Sequence, residues 1–282
     1  MSFLRKSRYL SGVDRAQGSS PAAAAPAQPL IVYREVDKYF NGHMVLQGIN
    51  LEIFTGETLV ILGRSGSGKT VMTSMLVGLL SPDKGTITVE GLDLAELRSD
   101  EDWRDLRLKT GYLFQGSALY DSMSVGENVA FPMVQHTDWP LEKIAVRVRD
   151  KLAQVGLEEA FDLSPAELSG GMKRRAALAR SLALDPQIII YDEPSAGLDP
   201  ITGDEIGGLI LRLQQNLGVT SIVVTHDLRF TEQVADRVAL LFEGKIAFLG
   251  TFQEFWQSSN PEARRFLHKE DGRITPDDIQ KI

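Results

Sequence analysis

The sequence predicts an α/β fold: a parallel sheet, an antiparallel β edge, and a helical subdomain inserted between two sheet strands. Three observations lead there. GETLVILG (Gly56 to Gly63), IIIYDEP (from Ile188) and TSIVVTHD (from Thr220) are short apolar runs, the pattern of strands buried on both faces. The helix-like DEIGGLILRLQQNLG lies between the last two, and strand–helix–strand alternation builds a right-handed parallel unit. A block from about residue 116 to 175 reads as largely helical and falls between the strand-like TGYLFQ and IIIYDEP.

Taken in order, residues 1–29 read as a disordered tail ending in a Pro/Ala linker. Arg5, Lys6, Arg8 and Arg15 stand there against Asp14 alone, and no apolar core of a secretory signal is present. A basic, acid-poor start also fits an organelle transit peptide. The ordered domain is expected over 30–250. LIVYREVDKYF and HMVLQGINLEI carry the alternation and branched residues of strands. GETLVILG feeds a glycine loop and then the helix-like TVMTSMLVGLL. PLEKIAVRVRDKLAQVGL is an amphipathic helix with Leu141, Ile144, Val148, Leu152 and Val155 on one face, a stripe that reads as core packing. ALLFEGKIAFLGTFQEFW closes the core with a hairpin around Glu243-Gly244. Residues 251–282 form a C-terminal extension. From Asn260 onward it is polar without a clear period, so composition predicts a flexible tail.

The chain has 282 residues, 43% of them hydrophobic, enough for one large domain or two small ones. A formal charge of -8 argues against a duplex-binding surface, so no nucleic-acid partner is expected. The absence of cysteine excludes a disulfide framework and Cys-based metal sites. No run reaches the roughly 18 apolar residues of a spanning helix.

GRSGSGKT, Gly63 to Thr70, fits G-x-x-x-x-G-K-[ST] between a strand and a helix, which points to a P-loop nucleotide site. Gly63, Ser65, Gly66, Ser67 and Gly68 let backbone N–H groups wrap phosphates, and the helix N-terminus adds partial positive charge. Lys69 reaches the β- and γ-phosphates of ATP, and the Thr70 hydroxyl takes Mg²⁺. Asp192 ends a buried strand and is assigned to the metal. Glu193 is the general base or water-positioning group. His226, ending another strand, contacts the γ-phosphate. Gln115 completes the metal and water shell.

ELSGGMKRR, Glu167 to Arg175, places a glycine pair before a basic helix-like segment. Nothing in local folding asks for Gly170 beside Gly171. Ser169-Gly170-Gly171 reads as a second anion cradle at a helix N-terminus. One nucleotide cannot use two such cradles of the same chain. The second must face a nucleotide held by another copy, as in a two-fold symmetric homodimer.

GRSGSGKT, YLFQ, LSGGMKRR, IIIYDEP, SAGLDP and VVTHD follow one another in the order of an ABC-transporter ATPase subunit. The resemblance covers about Leu30 to Gly250. It implies a RecA-like P-loop NTPase core, the nucleotide-binding domain of that family, with ATP sandwiched between two subunits and hydrolysed with Lys69, Glu193 and His226. It also implies that Asp199 crosses the dimer interface and that Phe40, or alternatively Tyr39, stacks on adenine. One position departs: the fifth signature residue is commonly Gln and here is Met172, which makes no amide contact.

LSGGM followed by RRAALAR, the stretch FQGSALYDSMSVGENVAFPM, GLDPIT and the tail NPEARRFLHKEDG resemble the ATPases of MCE lipid-trafficking systems, the MlaF group. That implies a subunit on the cytoplasmic face of a bacterial inner membrane that drives phospholipid movement. Its implied partners are an MlaE-like permease, an MCE-domain substrate-binding protein and a STAS-domain protein. A chloroplast lipid importer has a similar ATPase. Importers or exporters of other substrates share the catalytic motifs, and non-transport ABC ATPases are a further alternative. The stretch after Gln115, with Leu119, Met123, Val125, Val129, Phe131 and Met133, is either a groove for a permease helix or the core of the inserted subdomain.

Overall fold

The computed structural model describes residues 28–270. The expected tail lies, but for its last two residues, outside them. β1 (Pro29–Phe40) and β2 (His43–Phe54) pair across Asn41-Gly42. Both turn residues have positive φ, 50° and 79°, the geometry of a tight two-residue hairpin that Asn-Gly favours. β3 (Thr58–Leu62) is buried at every residue and leads through the glycine loop into α1 (Lys69–Leu76). β4 (Lys84–Val89) and the short β5 (Leu92–Asp93) follow, then α2 (Asp100–Leu108), opened by a Ser99/Asp102 capping box, and β6 (Thr110–Leu113). Three helices come next: α3 (Val125–His136), α4 (Leu141–Gln154) and α5 (Gly170–Ser181). The chain then alternates through β7 (Ile188–Asp192), α6 (Pro200–Leu217), β8 (Thr220–Thr225) and α7 (Leu228–Val234). It closes with β9 (Arg237–Phe242), β10 (Lys245–Gly250), α8 (Phe252–Gln257) and α9 (Pro261–Glu270).

The strands form two sheets, a four-stranded antiparallel one in the order β2-β1-β4-β5 and a six-stranded one in the order β10-β9-β3-β8-β7-β6. In the second, β9-β3-β8-β7-β6 run parallel and β10 turns back antiparallel at the expected Glu243-Gly244 hairpin. One core lies where β1, β2 and β4 meet α1 and one face of the parallel sheet, around Ile31, Leu46, Ile61, Met72 and Val224. Another joins the opposite face to α3–α6 through Val60, Leu113, Val129, Leu178 and Ile210. The sheet separates the two, so each parallel strand is apolar on both sides.

Two expectations fail. Leu141 is not part of the buried α4 stripe. It is 75% exposed, whereas Ile144, Val148, Leu152 and Val155 are at most 5% exposed. Leu141 keeps the spacing of the stripe but is the first residue of α4, after the capping Pro140, and at that end of the helix it stays exposed. The segment from Pro261 is not a tail up to Glu270 but the helix α9. Ala263, Phe266 and Leu267, spaced i, i+3, i+4, bury against Phe255, Val238, Leu240 and Leu62. Charged residues between them hide the period in composition.

Candidate active site

β3, β8, β7 and β6 are neighbours in the sheet and all point the same way. Their register pairs Leu62 with Thr225, Asp192 with Val224 and Leu113 with Tyr191, so the strands end at one level. The glycine loop, Glu193, His226 and Gln115 therefore emerge along one edge. In open α/β sheets the carboxyl ends of the strands are where ligands bind.

The loop geometry depends on missing side chains. Gly66 and Gly68 have φ of 79° and 103°, conformations that L side chains rarely adopt. A Cβ on Gly63 would lie 2.7 Å from both Leu241 O and Ser67 Oγ. Met72 N donates to Gly68 O at 3.0 Å, which starts α1 directly at the loop. Ser65 and Gly66 are exposed, and the buried Ser67 hydroxyl has no partner among the described residues. Lys69 folds back, donating to Gly63 O at 2.8 Å and Arg64 O at 3.2 Å. Its ammonium also lies 3.4 Å from Glu193 Oε1, with both side chains nearly buried.

Around it the acids converge. Thr70 Oγ1 donates to Asp192 Oδ2 at 3.1 Å. Burial pushes the Asp192 carboxyl above its ordinary value, and the Glu193 charge adds to this, while the Thr70 hydroxyl and Lys69 oppose it. Glu193 has φ 48°, an uncommon backbone state for a non-glycine residue. Its N–H donates to Val224 O at 2.8 Å, and its carboxylate accepts from Thr225 Oγ1 at 3.2 Å and approaches His226 Nδ1 at 3.0 Å. Lys69, Thr70, Asp192, Glu193 and His226 thus form one contiguous cluster, with His226 on the carboxylate of Glu193.

The remaining candidates stand apart from this cluster: among the described residues no side-chain hydrogen bond or ion pair joins them to it. Gln115 is exposed, and only its backbone oxygen is engaged, by Arg174. Phe40 is 39% exposed beside the β1–β2 turn, under the ammonium of Lys38 at 5.4 Å. Tyr39 directs its hydroxyl at Asp37, 3.5 Å away. Ser169 caps α5, accepting from Met172 N at 3.2 Å. Asp199 caps α6, accepting from Ile201 N, Thr202 N and, at 2.6 Å, Thr202 Oγ1, and these bonds hold its carboxyl below the ordinary range. Gly171 has an intrachain reason to be bare, because an added Cβ would lie 2.6 Å from the Thr202 methyl. Gly170 is looser, 3.3 Å from Leu198. Met172 packs on the helical core.

Sequence reasoning missed the supports. Tyr112, with its hydroxyl 3.1 Å from Thr73 Oγ1, stands beside Asp192, and burial pushes its pKa up to about 12. Asn128, fully buried, accepts from Tyr120 N at 2.8 Å and donates to the Tyr120, Met123 and Ser124 carbonyls, fixing the loop before α3. A lone Asn inside an apolar run was its only signal. Of the six residues read as either docking groove or subdomain core, Val125, Val129 and Met133 are wholly buried core. A groove of about 940 Å³ does open nearby, between α2, β6 and α3, with Phe131, Tyr120, Phe114, Arg104 and Arg107 on its walls.

Residues 46–196 match the ABC transporter family model. The chain is 38% identical to the probable ribonucleotide transport ATP-binding protein mkl of Mycobacterium tuberculosis, across 93% of this chain and 73% of that one. It is 40% identical to the intermembrane phospholipid transport system ATP-binding protein MlaF of Haemophilus influenzae, across 88% of this chain and 94% of the relative. Among solved structures, the dimeric ATP-binding cassette MJ0796 bound to ADP and Pi superposes with TM-score 0.72 at 31% identity, covering 79% of this chain and 98% of that one. The match over most of the chain, together with a phosphate loop facing a paired acid cluster, places this protein in the ABC transporter family as an ATP-hydrolysing subunit.

Proposed function

We propose that two copies of this chain close on two Mg-ATP and drive a separate membrane permease that moves phospholipid between membranes. The observation that carries the substrate is the 40% identity to MlaF across 94% of that protein's length. The mkl relative, whose name assigns ribonucleotides, aligns over 73% of its own length. The LSGGM-RRAALAR signature and the stretch after Gln115 support the same reading. The partners then are an MlaE-like permease, an MCE-domain protein and a STAS-domain protein, at the cytoplasmic face of an inner membrane. No helix among the described residues is long and apolar enough to cross a membrane, so the substrate path runs through the permease. The groove walled by Phe131 and Tyr120 is the surface offered to it.

In this reading the N–H groups of Gly63 to Lys69 wrap the phosphates, and Lys69 exchanges two carbonyl oxygens for phosphate oxygens, which are stronger acceptors. Phe40 stacks on the adenine. Thr70 and Asp192 supply hard oxygen ligands, and a cation there relieves the buried Asp192 carboxylate. No cluster of three or more His, Asp or Glu side chains forms a metal cage among the described residues. Thr70, Asp192 and Gln115 would hold Mg²⁺ together with the nucleotide, and the ion would neutralise developing charge. Glu193 orients the attacking water and accepts its proton. His226 holds the Glu193 carboxylate and faces the γ-phosphate. Ser169, Gly170 and Gly171 cradle the ATP of the partner copy, and Asp199 lies at the interface.

The test is purification of the chain with its membrane partners, then mass spectrometry of bound lipid and ATP-dependent transfer of fluorescent phospholipid between vesicles. The account expects co-purifying phospholipid and transfer that stops in Glu193→Gln. Transport of ribonucleotides without phospholipid transfer would overturn the substrate assignment.

A further inference from the structure

Arg174 lies in the first turns of α5, just beyond the Ser169 cap. It is 4% exposed, and no carboxylate is within ion-pair distance among the described residues. Nη1 donates to the backbone oxygens of Phe114 at 3.0 Å and Gln115 at 2.6 Å, and Nη2 donates to Ala196 O at 3.2 Å. Phe114 and Gln115 form the exit from β6. Ala196 belongs to the loop between Glu193 and Asp199. One guanidinium therefore ties together the start of α5, the Gln115 loop and the Glu193–Asp199 loop.

This arrangement is a poor device for stability. A buried cation facing only carbonyl dipoles keeps much of its desolvation cost, and a hydrophobic side chain of similar length often packs as well or better. Its Nε is buried with no partner. Burial pulls the guanidinium below its ordinary pKa, and only the Asp192 charge opposes this. Yet each carbonyl it holds belongs to a loop bearing a group assigned above to metal, water or interface. The planar fork of Arg reaches carbonyls of two loops at once, where the point charge of Lys serves fewer.

We propose that Arg174 is a positioning residue for ATP hydrolysis, clamping the Gln115 loop to the Glu193–Asp199 loop so that both move with the Ser169–Gly171 end of α5. It does not touch the nucleotide. Phosphate binding by the glycine loop is independent of it, and only the placement of Glu193 and Gln115 relative to each other depends on it. The proposal rests on Glu193 as the water-orienting residue, and a Glu193→Gln control tests that separately.

The experiment compares the full-length wild-type chain with Arg174→Met, Arg174→Lys, Arg174→Gln and Glu193→Gln. It records MANT-ATP binding by fluorescence, kcat and KM by phosphate release, and the thermal midpoint. For Arg174→Met the expected result is a MANT-ATP Kd and a KM within about twofold of wild type, an unchanged or higher midpoint, and a kcat at least about tenfold lower. Arg174→Lys should recover at least about threefold of that loss. If Arg174→Met does not fold, Arg174→Gln carries the same expectation. Wild-type kcat in the Met variant would overturn the proposal. So would a kcat loss that merely follows losses of midpoint and nucleotide affinity, with no rescue by Lys. Wild-type turnover in Glu193→Gln would sink the reading of Glu193, whatever Arg174 does.

Discussion

Gly171→Ala separates two reasons for the bare backbone at the start of α5. The backbone permits alanine, since Gly171 is helical and its φ is not positive. The obstacle is the Thr202 methyl, 2.6 Å from the new Cβ, against an ordinary contact of 3.4–4 Å. Thr202 cannot easily turn away. Its hydroxyl donates to Asp199 Oδ2 at 2.6 Å and its N–H to Asp199 Oδ1 at 3.0 Å, so a rotamer change breaks a charge-assisted bond. Overpacking of this kind costs about 1–3 kcal/mol, and the better helix propensity of alanine returns up to about 1. Mid-range values of the two leave a net cost of about 1–2 kcal/mol, a fall of roughly 2–8 °C in the thermal midpoint for a chain of this size. Adding Thr202→Ser deletes the offending methyl and keeps the hydroxyl on Asp199. The next atom, Thr202 Cβ, lies 3.9 Å away and needs no movement. The double variant should regain the wild-type midpoint, measured by differential scanning fluorimetry, yet stay impaired in ATP hydrolysis, because a methyl still stands on the backbone proposed to cradle the partner's phosphates. If Thr202→Ser restores hydrolysis together with stability, Gly171 is bare for Thr202 and not for a nucleotide. If Gly171→Ala costs nothing, the steric account itself is wrong.

Two further outcomes follow from the site and the C-terminus. The raised pKa of Asp192 means that the native chain retains a proton the unfolded chain has lost, so stability falls as pH rises from the ordinary aspartate value of 3.8 through the native one. Without nucleotide, Asp192→Asn should therefore melt at or above the wild-type temperature at pH 7. The gap should shrink as pH is lowered toward 4, while hydrolysis is lost, and a variant that melts well below wild type at pH 7 would contradict this. Phe266 is 2% exposed and packs edge-on to Phe255 in the cluster under β3 and β9, so Phe266→Ala should cost about 3–5 kcal/mol in chemical denaturation. A change under about 1 kcal/mol would mean that α9 does not dock.

Much of the candidate site's layout was legible because its signals are local. The glycine spacing, the apolar run into Asp192-Glu193 and the His ending a strand each declare a backbone geometry within a few residues, and parallel strands then bring them together. The supports were not legible, because their partners are remote. Arg174 reads as one more basic residue on a helix until Phe114 and Gln115 come within reach, 60 and 59 positions away. The packing reason for a bare Gly171 was hidden because Thr202, its steric neighbour, is far along the chain. Val125, Val129 and Met133 stayed open between docking surface and core because apolar residues after a glutamine carry no mark of which side will be covered. The α9 face was missed because three apolar residues among charged ones alter composition little, although their i, i+3, i+4 spacing was there to read.

The claim on which the mechanism turns is that each ATP is completed by two chains. It is tested by mixing two inactive variants, Lys69→Ala and Ser169→Arg, and measuring phosphate release. Each alone has no intact site, whereas a mixed dimer joins the Lys69 of one copy to the Ser169 of the other. Random pairing of equal amounts makes half the dimers mixed with one sound site each, so activity should return to about a quarter of wild type. Activity no greater than the sum of the two separate proteins would place the whole pocket within one chain.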